Sequence, residues 1–202
     1  MDIIRNDWWV TPVWEVQTDF DNRFNFELLN EIDEYTKSLS PQHQFDYNIW
    51  NHTGKRLTEL RDKSLELVKQ LTHEYVSKNY TEFEYWHTRG WLNSNPVGAS
   101  MPIHGHGGSK IAMTYYINAD ENSGDLLLVD PRGGVDWDSE IDIVNGAKFK
   151  RIKPKSGKLV FFPAYLLHMV DQNKSNKVRI SLTSNLSTID KVTHDKYFKH
   201  VS

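Results

Sequence analysis

The sequence predicts a mainly β protein, a sandwich or jelly roll with a helical layer at its N-terminal end. Two observations lead to that class. Short β-type runs recur at residues 110–117, 125–129, 149–152, 158–162 and 178–186, and turn residues rather than helices separate them. Ahead of these runs lie two apolar stripes at helical spacing.

Trp8, Trp9, Val10, Val13, Trp14 and Val16, grouped around Pro12, read as an opening strand packed on something larger. Leu28, Ile32, Tyr35 and Leu39 then recur as one face of a helix, with Asn25 as the expected N-cap. Residues 40–54 are polar, carry Pro41 and form a connection. Leu57, Leu60, Leu67, Val68, Leu71 and Tyr75 place a second helix, and both stripes read as packing surfaces. After Asn79 the period changes to two, with Phe83, Tyr85 and His87 alternating with Glu82, Glu84 and Trp86. No repeat, low-complexity tract or linker divides the chain. One domain is therefore expected over residues 1–202, a support layer over 1–82 and a β core over 83–202.

Composition narrows the function classes. A chain of 202 residues can bury a core unaided, and its 12% aromatic content, with 7 Trp, excludes full disorder. Lys and Arg number 24 against 27 Asp and Glu, so the net charge of -3 supplies no electrostatic reason for a nucleic-acid or anionic-membrane partner. The absence of Cys excludes disulfides, thiolate zinc sites and a cysteine nucleophile. With no secretory pattern and no apolar stretch near ~20 residues, a cytoplasmic protein without a membrane span is expected.

Most of the nine His need no special explanation. His43, His52, His73, His194 and His200 lie in polar or terminal settings and are expected at the surface, while His87 reads as a core or surface residue. His104 and His106 differ. On a strand, residues two apart share a face, so His104-Gly105-His106 can present two imidazoles to one point. A third, His168, follows the apolar run 160–167. Without thiolates, these nitrogen donors suit iron, manganese, copper, nickel or zinc. Arg179 lies in an otherwise apolar strand and must meet an anion to be buried. With Ser181 on the same face it can grip a ligand carboxylate; the alternative is an internal ion pair to Asp or Glu.

In this order the blocks resemble the double-stranded β-helix of iron(II)- and 2-oxoglutarate-dependent oxygenases, most closely a bacterial and phage group with a His-x-His segment. The resemblance runs through Trp91-Leu92-Asn93, His104-Gly105-His106, residues 113–117, Val129-Asp130-Pro131-Arg132, residues 154–163, His168 and Arg179-Ile180-Ser181 to Asn185. It implies a jelly-roll (cupin-like) core with the N-terminal helices packed on one sheet. It implies iron(II) at His104, His106 and His168. It also implies that Arg179 and Ser181 hold the far carboxylate of 2-oxoglutarate, with a further hydrogen bond from Tyr116 or Thr114. Such enzymes use dioxygen to couple oxidative decarboxylation of this small-molecule cosubstrate to oxidation of a substrate C–H bond, usually hydroxylation.

One departure stands out. Most members carry Asp or Glu where this chain has His106. Either His106 is a ligand or a carboxylate arrives from elsewhere, with Asp130 the best candidate against its alternative use as a turn cap. Two rival functions stay open: a three-His cupin-type dioxygenase that needs no 2-oxoglutarate, and a non-catalytic β-sandwich binding module. The acidic loop 131–146 reads equally as a rim over the pocket or as exposed decoration. The sequence specifies neither the primary substrate, whether protein side chain, nucleobase or small metabolite, nor the oligomeric state.

Overall fold

In chain order the elements are β1 (Trp14–Gln17), α1 (Asn22–Ser38), a 3-10 turn (Ile49–Asn51), α2 (Lys55–Thr72), β2 (Phe83–Asn95), β3 (Met101–His104) and β4 (Ile111–Asn118). There follow β5 (Leu126–Val129), β6 (Phe149–Ile152), β7 (Lys158–Pro163), β8 (His168–Val170), β9 (Arg179–Asp190) and α3 (Lys191–Tyr197). The structure is a computed structural model that describes residues 11–40, 47–73, 83–132 and 149–197. Trp8, Trp9, Val10, His43, Tyr75, Asn79, His200 and most of the acidic loop lie outside those residues. Two sheets form, one of five strands in the order β1-β7-β4-β9-β2 and one of four in the order β3-β8-β5-β6. All pairings are antiparallel, as a jelly roll requires.

Alternation along β9 divides its residues between two environments. Leu182, Ser184 and Leu186 face outward under the helices, whereas Arg179, Ser181, Thr183 and Asn185 share the opposite face. On the outer side, Phe24, Leu28 and Ile32 of α1 and Leu57, Leu60 and Val68 of α2 pack on Tyr115, Leu159, Phe161, Leu182 and Leu186. A second cluster, with Ala112, Tyr116, Leu126, Leu128, Val160 and Phe162, fills the space between the sheets. The helices therefore pack on one sheet, as expected, and β1 extends that sheet at its edge. Among the described residues no helix is long and apolar enough to cross a membrane.

Some expectations need correction. The cap of α1 is Asp21, whose carboxylate accepts from the Phe24 backbone N–H at 2.7 Å. A charged acceptor suits the positive end of a helix. Asn25 instead lies inside the helix, buried, and accepts the Tyr115 hydroxyl at 2.6 Å. His52 and His194 are half-buried rather than exposed, and His52 stacks on Tyr35. The short strands β3 and β8 and helix α3 were not anticipated, being too brief to show a period.

The support layer docks on the core through a buried polar cluster. Gly90 of β2 has no side chain because a Cβ there would collide with the Trp50 indole from the 3-10 turn. Trp50 stacks on His87 at 4.2 Å between centroids and donates to Ser184 Oγ at 2.8 Å. His87 lies within hydrogen-bond reach of Ser64 Oγ at 2.9 Å and Ser184 Oγ at 2.7 Å, tying α2 to β9. Burial pulls its pKa down to about 3. The unfolded chain protonates this ring below about 6.5 while the fold keeps it neutral. Its contribution to stability is therefore full above about 6.5 and is lost as pH falls toward the folded value, at up to about 1.4 kcal/mol per pH unit. Acid titration of the unfolding midpoint should be steeper for wild type than for His87→Gln. Equal slopes would mean that the folded ring accepts its proton readily.

Candidate metal and cosubstrate site

β3 and β8 are neighbours, and their register sets His104 directly opposite His168. His106 arrives differently. β3 ends at His104, so strand alternation does not unite the His-x-His pair as the sequence suggested. The chain instead turns at Gly105, where a Cβ would already press on Leu167 at 3.3 Å, and the His106 backbone N–H donates to Ala164 O at 3.0 Å. The three imidazoles converge all the same. One ligand atom from each lies within 4.8 Å of the others.

Their hydrogen bonds select which nitrogens point inward. His104 Nδ1 lies 2.8 Å from Pro102 O, and His168 Nδ1 lies 3.0 Å from Leu166 O. A carbonyl only accepts, so both Nδ1 atoms carry the proton and both Nε2 atoms present lone pairs. His106 Nε2 is buried without a hydrogen-bond partner. Burial, followed by the neighbouring imidazoles, lowers the pKa of His106 and His168 to about 4. Both rings are neutral at pH 7, the form in which imidazole binds a metal. The donor set thus fits a divalent transition metal.

Asp130 stands apart from this group. Its carboxylate accepts from the Arg132 backbone N–H at 3.0 Å and from Arg132 Nε at 2.9 Å, which holds its pKa below the usual range. It caps a turn. Among the described residues no carboxylate joins the three His.

The cavity beside the imidazoles, about 90 Å³, is lined by Thr114, Arg179, Ser181 and Thr183 together with the three His. Arg179 is 3% exposed and has no ion pair among the described residues. Its Nη1 donates to Asn95 Oδ1 over a long 3.5 Å, and its Nε is buried without a partner. The guanidinium carbon sits 5.0 Å from the Tyr116 ring centroid, a cation–π contact, and the Tyr116 hydroxyl is also buried and unpartnered. Of the two readings open for Arg179, the internal ion pair is not found among the described residues.

Sequence reasoning missed the polar side of β2. Asn95 pairs in register with Arg179, Asn93 with Ser181 and Trp91 with Thr183. Asn93 Nδ2 donates to Thr183 Oγ1 at 2.7 Å, and Trp91 Nε1 to Asn93 Oδ1 at 3.2 Å. The available signal was Asn at alternate positions, 93 and 95, of a long strand.

Residues 89–185 match a protein-family model described as "Putative 2OG-Fe(II) oxygenase". No curated protein sequence matches the chain. Among solved structures, a Pseudomonas putida prolyl-4-hydroxylase superposes with a TM-score of 0.58 at 13% identity, covering 88% of this chain and 88% of its own. The viral collagen prolyl hydroxylase of Paramecium bursaria Chlorella virus-1, solved with 2-oxoglutarate, gives a TM-score of 0.56 at 13% identity over 86% of this chain and 94% of its own. The α-ketoglutarate-dependent epimerase SnoN of nogalamycin biosynthesis gives 0.59 at 12% identity, covering 89% of this chain and 78% of its own. At such identities the superpositions speak for the fold, and the sequence match speaks for the family. Over residues 89–185, just under half of the chain, the sequence is thus similar to an iron(II)- and 2-oxoglutarate-dependent oxygenase family, on a fold shared with these structures and around a His triad that fits a metal ion.

Proposed function

We propose that the enzyme couples oxidative decarboxylation of 2-oxoglutarate to hydroxylation of a substrate C–H bond, with iron(II) on His104, His106 and His168. The buried guanidinium of Arg179, without an ion pair among the described residues and beside three inward-facing imidazoles, carries this reading. An isolated charge in such a place costs several kcal/mol unless an anion completes it. The far carboxylate of 2-oxoglutarate would complete it through a two-bond fork from Arg179, with Ser181 as a further donor. Thr114 lines the same cavity and offers a hydroxyl to the cosubstrate, while Tyr116 braces the guanidinium from behind. Bound iron(II), with 2-oxoglutarate and dioxygen, supplies the decarboxylation to succinate and carbon dioxide and the oxidising power for the substrate C–H. The protein fixes ring orientation through Pro102 O and Leu166 O and keeps the cavity narrow. A three-His dioxygenase without 2-oxoglutarate would leave Arg179 buried without a counter-ion among the described residues.

The proposal assigns catalysis to residues 83–202 and support to 1–82 within one domain, in the cytoplasm. Anaerobically iron-loaded protein given 2-oxoglutarate and then air should release succinate, with or without a primary substrate. Oxygen-dependent release that disappears without iron is the expected result. Intact 2-oxoglutarate in iron-loaded, aerated protein would refute the coupling.

A further inference from the structure

Three side chains of β2 and β9 form a hydrogen-bonded chain whose direction is fixed. It starts at Trp91 Nε1, which donates to Asn93 Oδ1 at 3.2 Å. An indole nitrogen only donates, so the Asn93 amide turns its oxygen to Trp91 and its nitrogen to β9. That nitrogen donates to Thr183 Oγ1 at 2.7 Å. Thr183 is therefore an acceptor in this bond, and its own hydroxyl proton is unspent. No acceptor takes that proton among the described residues. Thr183 is 7% exposed and lines the narrow cavity beside the His triad. A buried donor left unmade is costly, so the hydroxyl calls for an acceptor that enters this cavity.

Position decides which acceptor. Arg179, Ser181 and Thr183 follow one another along one face of β9, about 7 Å per step. The guanidinium stands at one end of this row. At the other, Thr183 pairs in register with Trp91, whose ring centroid lies 5.7 Å from that of His106. The row thus runs from the buried cation toward the His triad. Thr114 pairs with Thr183 from the β4 side and lines the same cavity. A diacid fastened at Arg179 and Ser181 extends along this row and brings its second acid group beside Thr183.

We infer that Thr183 is a cosubstrate-binding residue, whose hydroxyl donates to the 2-oxo-acid end of 2-oxoglutarate. Asn93 and Trp91 set the direction of that bond: with the Asn93 amide held by the indole, the Thr183 proton points to the ligand. The inference rests on the 2-oxoglutarate reading of the cavity and adds a contact at the end remote from Arg179.

Anaerobic calorimetry on iron-loaded protein tests this, with 2-oxoglutarate and 2-oxobutyrate each titrated to saturation of wild type. 2-Oxobutyrate keeps the 2-oxo-acid end and lacks the far carboxylate. Thr183→Val keeps the side-chain shape and loses the hydroxyl. It should weaken both ligands by about tenfold or more, with iron(II) affinity unchanged. Thr183→Ser, which keeps the hydroxyl, should bind both nearly as wild type does. Arg179→Ala should weaken 2-oxoglutarate far more than 2-oxobutyrate. Equal 2-oxoglutarate binding by wild type and Thr183→Val would overturn the inference and leave the cosubstrate reading standing. A Thr183→Val loss confined to 2-oxoglutarate would also overturn it, since the hydroxyl would then serve the far carboxylate. So would a parallel loss of iron(II) affinity, which would make Thr183 a structural residue. Absence of 2-oxoglutarate binding to iron-loaded wild type would defeat the cosubstrate reading together with this one.

Discussion

Replacing Arg179 with Met should leave the ligand-free protein as stable as wild type or more so, while removing nearly all its affinity for 2-oxoglutarate. The wild-type guanidinium is 3% exposed and lacks a counter-ion among the described residues. Exchanging a buried charge for an apolar side chain of similar length is often neutral or stabilising. With cosubstrate bound the comparison reverses. Losing one partner of a buried charge pair costs about 2–5 kcal/mol, roughly a 30- to several-thousand-fold loss of affinity. Thermal melts resolve both halves. Wild type should gain stability as 2-oxoglutarate is added, by mass action on the folded state, and Arg179→Met should not. Arg179→Lys should fall between, since an ammonium keeps the charge and loses the planar fork. If Arg179→Met destabilises the free protein strongly, the guanidinium serves packing rather than ligand binding.

His104→Ala and His168→Ala should each abolish stoichiometric iron(II) binding without unfolding the sheets. Removing a mere orienting partner of a metal ligand costs about 10- to 100-fold in affinity, so losing a ligand itself should exceed about 100-fold. His106→Asp is the more informative change. Three neutral imidazoles leave the site one unit more positive than two imidazoles and a carboxylate. The Asp variant should therefore hold iron(II) at least as tightly and dianionic 2-oxoglutarate more weakly. Metal analysis after gel filtration reads the first effect and competition with a chelator ranks the variants. Wild-type iron affinity in His106→Ala would remove that ring from the ligand set.

The jelly roll was legible because strand alternation and helical period are local properties. Runs such as 110–117 and 158–162 needed only their own residues to announce themselves, and β4 and β7 lie there. His104, His106 and His168 were legible as ligand candidates because no thiolate competed with them. What the sequence hid was pairing. That His106 reaches its partners through a bond to Ala164 O, not through a strand face, depends on the approach of the loop before β8. That Arg179 meets no acid among the described residues depends on pairings elsewhere in the fold: Asp125 and Asp171 are taken by Arg151, and Asp130 by Arg132. The Asn93–Thr183 bond was equally invisible, because residues 90 positions apart meet only through the β2–β9 register.

Anaerobic calorimetry of 2-oxoglutarate binding to wild-type protein, with and without iron(II), tests the central assignment most directly. One equivalent should bind the iron-loaded protein, markedly more weakly without iron, and with a further loss of at least about tenfold in Arg179→Ala. Absence of binding to iron-loaded wild type, or equal binding to wild type and Arg179→Ala, would contradict it.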